Sequence, residues 1–412
     1  MKLACVVGTR PQLIKVAAAW HALRRDHEPR LIDTGQHYDE EMAGRFFGEL
    51  HLPAPDRQLG VGSGSRARQV AAIMDALEPV LLDERPDAVV VFGDTNSTLA
   101  GALVAAGLDL PLAHVEAGLR SFDRRMPEEI NRVVVDHLAQ LLLAPNAQAT
   151  SNLTAEGIGG GLSDDAAGGS AGGSDDARAA GSSRGPDEDA AKRPGGGWRR
   201  PRVEVVGDLM QDLCAAAVPF VRDPASVGEG APEEIAALHL RTGEYLFATV
   251  HRAENRPPEA IREWLALLGA LGRPVVLALH PGTRRAIDES DCPVPPNVHA
   301  VPPQGYATTL ALQLHAAAVV TDSGGVQREA GWLGTPALVL RGSTEWTGTL
   351  ETQGGRSVLV GRDAARALDA LARLAPAASS ADAAARRAAA ATVAPAGADE
   401  RVSAALGDWL GS

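Results

Sequence analysis

Three carboxylates sit in settings suited to moving protons. They are Asp94 in GDTNST (93–98), Glu116 in HVEAGLRS (114–121) and Glu128 in MPEEINR (126–132). A positioned carboxylate can take a proton from a substrate and return it. His251 in ATVHRAEN, from the second half of the chain, would face them across a cleft. Each also has a plainer explanation. An aspartate at a strand end is commonly a helix N-cap, and Thr95-Asn96-Ser97 are cap-type residues as well. Glu128 and Glu129 follow Pro127, where a helix start favours acids at the positive end of its dipole. The stretch alone leaves open whether either acid handles protons or both simply start a helix.

A second group of residues suits phosphate. GTRPQLIK (8–15) puts a glycine at a strand end ahead of a helix, with Arg10 and Lys15 close by. DSGGVQREA (322–330) offers the Ser323 hydroxyl and the backbone N–H groups of Gly324 and Gly325. Glu329, two turns on, could accept hydrogen bonds from the two hydroxyls of a ribose. Phosphate donors beside a diol-binding acid suit a nucleotide sugar; an ordinary glycine turn is the alternative. A metal is not expected: His37, His114, His251 and His280 are dispersed, with neither HExxH nor a cysteine pair. A serine-hydrolase elbow, GxSxG, is also missing.

These residues need elements to hold them. Apolar runs without alternation recur at 3–8, 30–35, 88–94, 112–118 and 141–146, then at 203–208, 245–251, 275–281, 318–325 and 337–342. Such runs are the pattern of strands covered on both faces. Segments with helical spacing, such as PQLIKVAAAWHALRRD (11–26), lie between them. The expected class is α/β, with two parallel sheets flanked by helices. Ligands then sit beyond the carboxyl ends of the strands, where the polar clusters fall. Asp94 and Glu116 would end consecutive strands about 5 Å apart.

The 412 residues suggest two domains: 1–158 and 201–374. Between them 159–200 is Gly/Ser/Ala/Asp-rich and too poor in apolar residues to form a core, so it is read as a disordered insertion. An alanine-rich helical segment, 375–412, is expected to pack back on the first domain. A formal charge of −13 argues against general nucleic-acid binding while leaving room for a local basic pocket. Cys5, Cys214 and Cys292 are scattered, which suits reduced thiols in the cytoplasm. No apolar run reaches the 18 residues or more of a membrane span.

Taken in order, GTRPQ, TGQHYD, GDTNSTLAG, HVEAGLRS, MPEEINR, TVHRAEN, DSGGVQREA and LRGSTEW resemble the motifs of the non-hydrolysing UDP-N-acetylglucosamine 2-epimerase family. They span about residues 1–361. GTRPQ, GSGS (62–65) and VVGDLMQD (205–212) look closer to a branch acting on modified UDP-sugars, such as UDP-diacetamido-glucuronic acid. The resemblance implies two Rossmann-like domains of the GT-B type with an interdomain active site. It implies inversion at sugar C2 without a nicotinamide cofactor or metal: the C2 proton leaves as UDP leaves C1, and UDP adds back to the resulting 2-acetamidoglucal. Carried over by motif, Asp94, Glu116 and Glu128 are the acid/base set, with His251 at the diphosphate or in proton transfer. Arg10, Lys15, His280, Ser323, Gly324, Gly325, Glu329 and Arg341 match positions that hold UDP, and Gln304 falls where the family contacts uracil. Gln36, His37 and Gln69 are candidates for a second, regulatory site, and a homodimer is what the family suggests. One departure is visible: Thr347-Gly348 stands where the family commonly carries an acid after TEW, with Glu351 further on. A hydrolysing epimerase, a GT-B glycosyltransferase and a catalytically silent UDP-sugar sensor are the alternatives; the carboxylate trio favours C2 proton transfer over the last two.

Overall fold

The computed structural model describes residues 1–36, 47–48, 50–159, 201–221, 233–375, 393 and 395–411. His37, all but Gly159 of the expected 159–200 insertion, and most of the alanine-rich stretch after 375 lie outside the described residues.

Thirteen strands are formed among those residues. They are β1 (Lys2–Val7), β2 (Glu28–Asp33), β3 (Arg57–Gln58), β4 (Ala88–Phe92), β5 (Leu112–Val115), β6 (Leu141–Ala144) and β7 (Arg202–Val205), followed by β8 (Leu246–Thr249), β9 (Val275–Ala278), β10 (Val298–Val301), β11 (Ala318–Thr321), β12 (Ala337–Val339) and β13 (Ser357–Leu359). One sheet has the order β3-β2-β1-β4-β5-β6-β7 and the other β10-β9-β8-β11-β12-β13. All of these pairings are parallel.

The unalternating runs have a direct explanation. In β1, Leu3, Cys5 and Val7 enter the core on one face of the sheet, while Ala4 and Val6 enter the core on the other. In the second sheet, Leu246 and Ala248 face one core, and Phe247 faces the other. A strand must therefore be apolar at every position, because helices cover both of its faces.

Two details differ from the sequence reading. The run at 203–208 was expected to open the second domain, yet β7 pairs with β6 and closes the first sheet. Val206, Leu209, Met210 and Cys214 continue into the first domain's core. An apolar run reports that a strand is covered, not which neighbour it pairs with. The second difference is three added strands, β3, β10 and β13. β3 is two exposed polar residues, His299 interrupts β10, and β13 coincides with the short apolar run 358–360, which the sequence reading passed over.

The helix Ala398–Gly411 lies along the helix Arg10–Asp26. Arg25 pairs with Glu400, and Ser403 donates to the Asp26 carboxylate. Asp212, in the helix Leu209–Ala217, accepts from the N–H groups of Gly397, Ala398 and Asp399, which anchors the incoming chain. The last helix is thereby tied to the first domain and to the segment that leads out of it. No described helix is long and apolar enough to cross a membrane.

Candidate active site

β4 and β5 are neighbours, with Phe92 opposite Val115, so the residues that follow them emerge side by side. The helix cap after β4 is supplied by Thr95, whose hydroxyl accepts from Thr98 N. Asp94 is consequently free of the capping role that threatened its candidacy, and its carboxylate pairs with Arg132 at 2.5 Å. Burial alone would raise its pKa, but Arg132 and then Lys15 outweigh burial and hold it below the ordinary aspartate value.

Glu116 sits in the left-handed region at φ +72, a conformation a glutamate adopts at a cost. That backbone turns its side chain to Lys15 on one side and to Arg328 Nη1, at 3.0 Å, on the other. Gly93 is a necessary part of the arrangement. Its φ is +66, and a Cβ there would lie 2.6 Å from Lys15 Nζ and 3.2 Å from Glu116 Oε2.

MPEEINR forms the start of the helix Pro127–Leu138, and its two acids part company. Glu129 is 3% exposed and accepts from Ser121 N, Ser121 Oγ, Phe122 N and Arg132. It ties the loop after β5 to the helix. Glu128 instead lines a cleft of about 1240 Å³, with Ser121 and Phe122 from its own domain and Arg252, Arg341 and Arg362 from the other. One turn on, Asn131 donates to Asp94 O at 2.8 Å and Arg132 reaches the Asp94 carboxylate. The same helix thus aims Glu128 and anchors Asp94.

On the facing domain, Asp322 follows β11 and accepts from the N–H groups of His251 and Arg252 and from the Asn255 amide. Burial opposes its charge, yet His251 and these donors hold it well below the usual carboxylate range. His251 Nδ1 lies 3.2 Å from Asp322, with the side chain about half exposed (45%). A buried carboxylate thereby orients an accessible imidazole.

DSGGVQREA forms a turn from β11 into a helix. Ser323 caps the helix Gly324–Trp332, its Oγ accepting from Val326 N at 3.3 Å. Glu329 is buried and accepts from Gln313 Nε2 at 2.6 Å. Burial lifts its carboxyl to about 7, against the pull of Gln313, Arg10 and Arg328. Arg341 donates to Glu345 at 2.8 Å, while its buried Nη1 has no hydrogen-bond partner among the described residues.

Several predicted residues have local employment. His280 Nδ1 accepts from Gly282 N at 3.2 Å and caps its own helix. Gln304 Nε2 donates to Pro302 O and to Glu234. Gln36 Oε1 accepts from Ser97, and the Gln69 amide joins Gln36 O, Gly62 O and Asn96. Gln36 and Gln69 therefore brace the helix start behind Asp94. Lys15 pairs with Glu116. Glu351 pairs with Arg373 on the surface, so it does not replace the acid expected after TEW.

Sequence reasoning passed over Glu345, Arg252, Arg132 and Arg328 as site residues. Glu345, 9% exposed, lies near three arginines: Arg341 at 2.8 Å, Arg132 at 3.2 Å and Arg252 at 3.9 Å. They hold its carboxyl far below the ordinary value although burial pushes the other way. Each of the four stands inside a quoted motif, so the signal was present. What was missing was the knowledge that Arg132 and Glu345, 213 residues apart, meet.

Residues 21–162 and 195–404 match a family model described as UDP-N-acetylglucosamine 2-epimerase. The UDP-N-acetylglucosamine 2-epimerase of Methanocaldococcus jannaschii is 34% identical over 371 residues, covering 88% of each chain. The UDP-2,3-diacetamido-2,3-dideoxy-D-glucuronate 2-epimerase of Pseudomonas aeruginosa is 35% identical over 367 residues, again 88% of each. Among solved structures, the M. jannaschii UDP-GlcNAc 2-epimerase in complex with UDP-GlcNAc and UDP superposes with a TM-score of 0.77 at 32% identity, over 99% of this chain and 100% of that one. The Neisseria meningitidis enzyme bound to UDP-GlcNAc gives 0.74 at 25% identity, over 100% and 99%.

Proposed function

The chain belongs to the UDP-N-acetylglucosamine 2-epimerase family, and we propose that it inverts C2 of UDP-N-acetylglucosamine, or of a related UDP-2-acetamido sugar, without hydrolysing it. The observation that carries this reading is the placement of three carboxylates. Asp94 and Glu116 follow neighbouring strands, and Glu128 lines the cleft against the arginines of the other domain.

C2 carries a weakly acidic proton, so its removal must be coupled to departure of the group on C1. A carboxylate takes the proton as the C–H electrons form a C1=C2 double bond and the C1–O pair leaves with UDP. The products of this step are a 2-acetamidoglucal and UDP. Re-addition of the UDP phosphate at C1, with a proton delivered to the opposite face of C2, gives the manno epimer. Cations near the departing diphosphate stabilise its growing charge. Arg341, with an unpaired Nη1, and the Asp322-oriented His251 are suited to that task. Ser323, Gly324 and Gly325 present a helix N-terminus to phosphate, and Glu329 would accept from the ribose hydroxyls.

The test is isotope exchange. The protein is incubated in D2O with UDP-N-acetylglucosamine and, separately, with UDP-diacetamido-glucuronic acid, and the products are followed by NMR. Deuterium at C2 together with the manno epimer is expected with one of them. Free N-acetylmannosamine would reassign the protein as a hydrolysing epimerase, and absence of exchange with both sugars would overturn the reading.

A further inference from the structure

Arg328 is unexplained by the chemistry above. It stands on the helix Gly324–Trp332 of the second domain, 5% exposed, yet its Nη1 lies 3.0 Å from Glu116 and 2.5 Å from Asp208. Both carboxylates follow strands of the first sheet, β5 and β7. The guanidinium is fixed in plane as well as in place. Its centre lies 3.7 Å from the centroid of the Trp346 ring, and Nη2 points to Met210 Sδ at 2.9 Å. Stacking covers the flat face and leaves the N–H edge to aim at the two acids.

We propose that Arg328 is a positioning residue for proton transfer, reaching across the domain boundary to orient Glu116 so that this carboxylate is set for C2 only when the two domains are together. Among the described residues, Glu116 pairs with two cations. Lys15 belongs to its own domain and stays with it through any domain movement; Arg328 belongs to the other. Separation of the domains removes Arg328 alone. The charges around Glu116 are therefore Lys15 from the first helix and Arg328 from the helix after β11. Asp94 acts through Lys15, and Asp208 and Glu345 act through Arg328. Asp208 competes with Glu116 for the same Nη1, so it tunes how much of the cation Glu116 receives.

The proposal rests on the epimerase reading and predicts changes of opposite sign. Removing a cation beside a carboxylate makes that carboxylate easier to protonate, and removing a competing anion does the reverse. C2 exchange is measured against pH for wild type, Arg328→Gln, Arg328→Lys and Asp208→Asn. Arg328→Gln should lower kcat by about tenfold or more with KM changed by less than about threefold, and should move the low-pH fall-off in rate upward. Arg328→Lys should recover part of the loss. Asp208→Asn keeps the Oδ1 that accepts from Met210 N, frees Arg328 for Glu116, and should move the fall-off downward. A purely structural arginine would lower the rate equally at all pH values, with no opposed shift. Wild-type exchange with shifts in the same direction, or with none, overturns this proposal alone; wild type without exchange overturns the epimerase reading and this proposal with it. Should Arg328→Gln fail to fold, Asp208→Asn against wild type decides.

Discussion

Among the described residues, two ionic clusters join the domains, and they are built in opposite senses. In one, Arg132 of the first domain reaches Glu345 of the second, and Arg252 and Arg341 gather round the same carboxylate. In the other, Arg328 of the second domain reaches Glu116 of the first. The first cluster is open: Arg252 and Arg341 line the cleft, and Arg341 keeps an unpaired N–H group. The second is closed. Lys15 and Arg328 are buried against Glu116 and Asp208, and none of the four lines that cleft. The difference separates two jobs that ion pairs do in one site. In the proposed reaction the open cluster would offer charge to the diphosphate, whereas the closed one holds the Glu116 carboxylate between Lys15 and Arg328.

The largest effect is expected at the open side. Glu128→Gln should reduce C2 exchange by roughly 10²–10⁴-fold while UDP affinity, measured by calorimetry, stays within about threefold. Unchanged turnover would remove Glu128 from the proposed acid/base set. Next comes the buried cation that the open cluster is built on. Arg132→Met leaves Asp94, Glu129 and Glu345 without their shared partner and should cost about 3–5 kcal/mol in urea unfolding. A loss below about 1 kcal/mol would show that the cluster is solvated and not a buried network.

Glu329 gives a pH-dependent contrast. Its folded pKa of about 7 lies above the ordinary 4.5, so the folded state binds the extra proton between those values. Its stability contribution is fully present below about 4.5 and declines as pH rises through about 7, by about 3 kcal/mol in all. Glu329→Gln should remove that decline from the stability profile. In the diol role proposed for Glu329, ribose hydroxyls would donate to the charged carboxylate, so UDP affinity should rise through the same window in wild type, and the variant should bind UDP weakly with a flat profile. A wild-type affinity that falls across the window would contradict the diol role. The smallest effect belongs to Glu351→Ala, which breaks an exposed pair with Arg373; melting temperature and exchange rate should both be unchanged.

How much of this was legible beforehand varied with the kind of interaction. The apolar runs at 3–8, 88–94 and 245–251 became β1, β4 and β8, since doubly covered strands must be apolar throughout. The short edge β3 has no such requirement and left no apolar trace, and β13 left only the three-residue run 358–360. The side-by-side emergence of Asp94 and Glu116 was legible because consecutive strand ends usually neighbour each other, and here they do. The sheet membership of β7 was not, because pairing partners are chosen by contacts far along the chain.

MPEEINR shows where that boundary falls. Composition and spacing alone determined a helix start with two acids, a two-domain α/β protein, and motifs placed at strand ends. Only the tertiary structure decided that Glu129 turns inward to Ser121 and Phe122 while Glu128 faces the cleft. The reason is physical. Local sequence sets backbone propensity and burial pattern over a few residues, whereas a buried charge is placed by its partner. The partners here, Arg132 with Glu345 and Arg328 with Glu116, are more than two hundred residues apart in the chain.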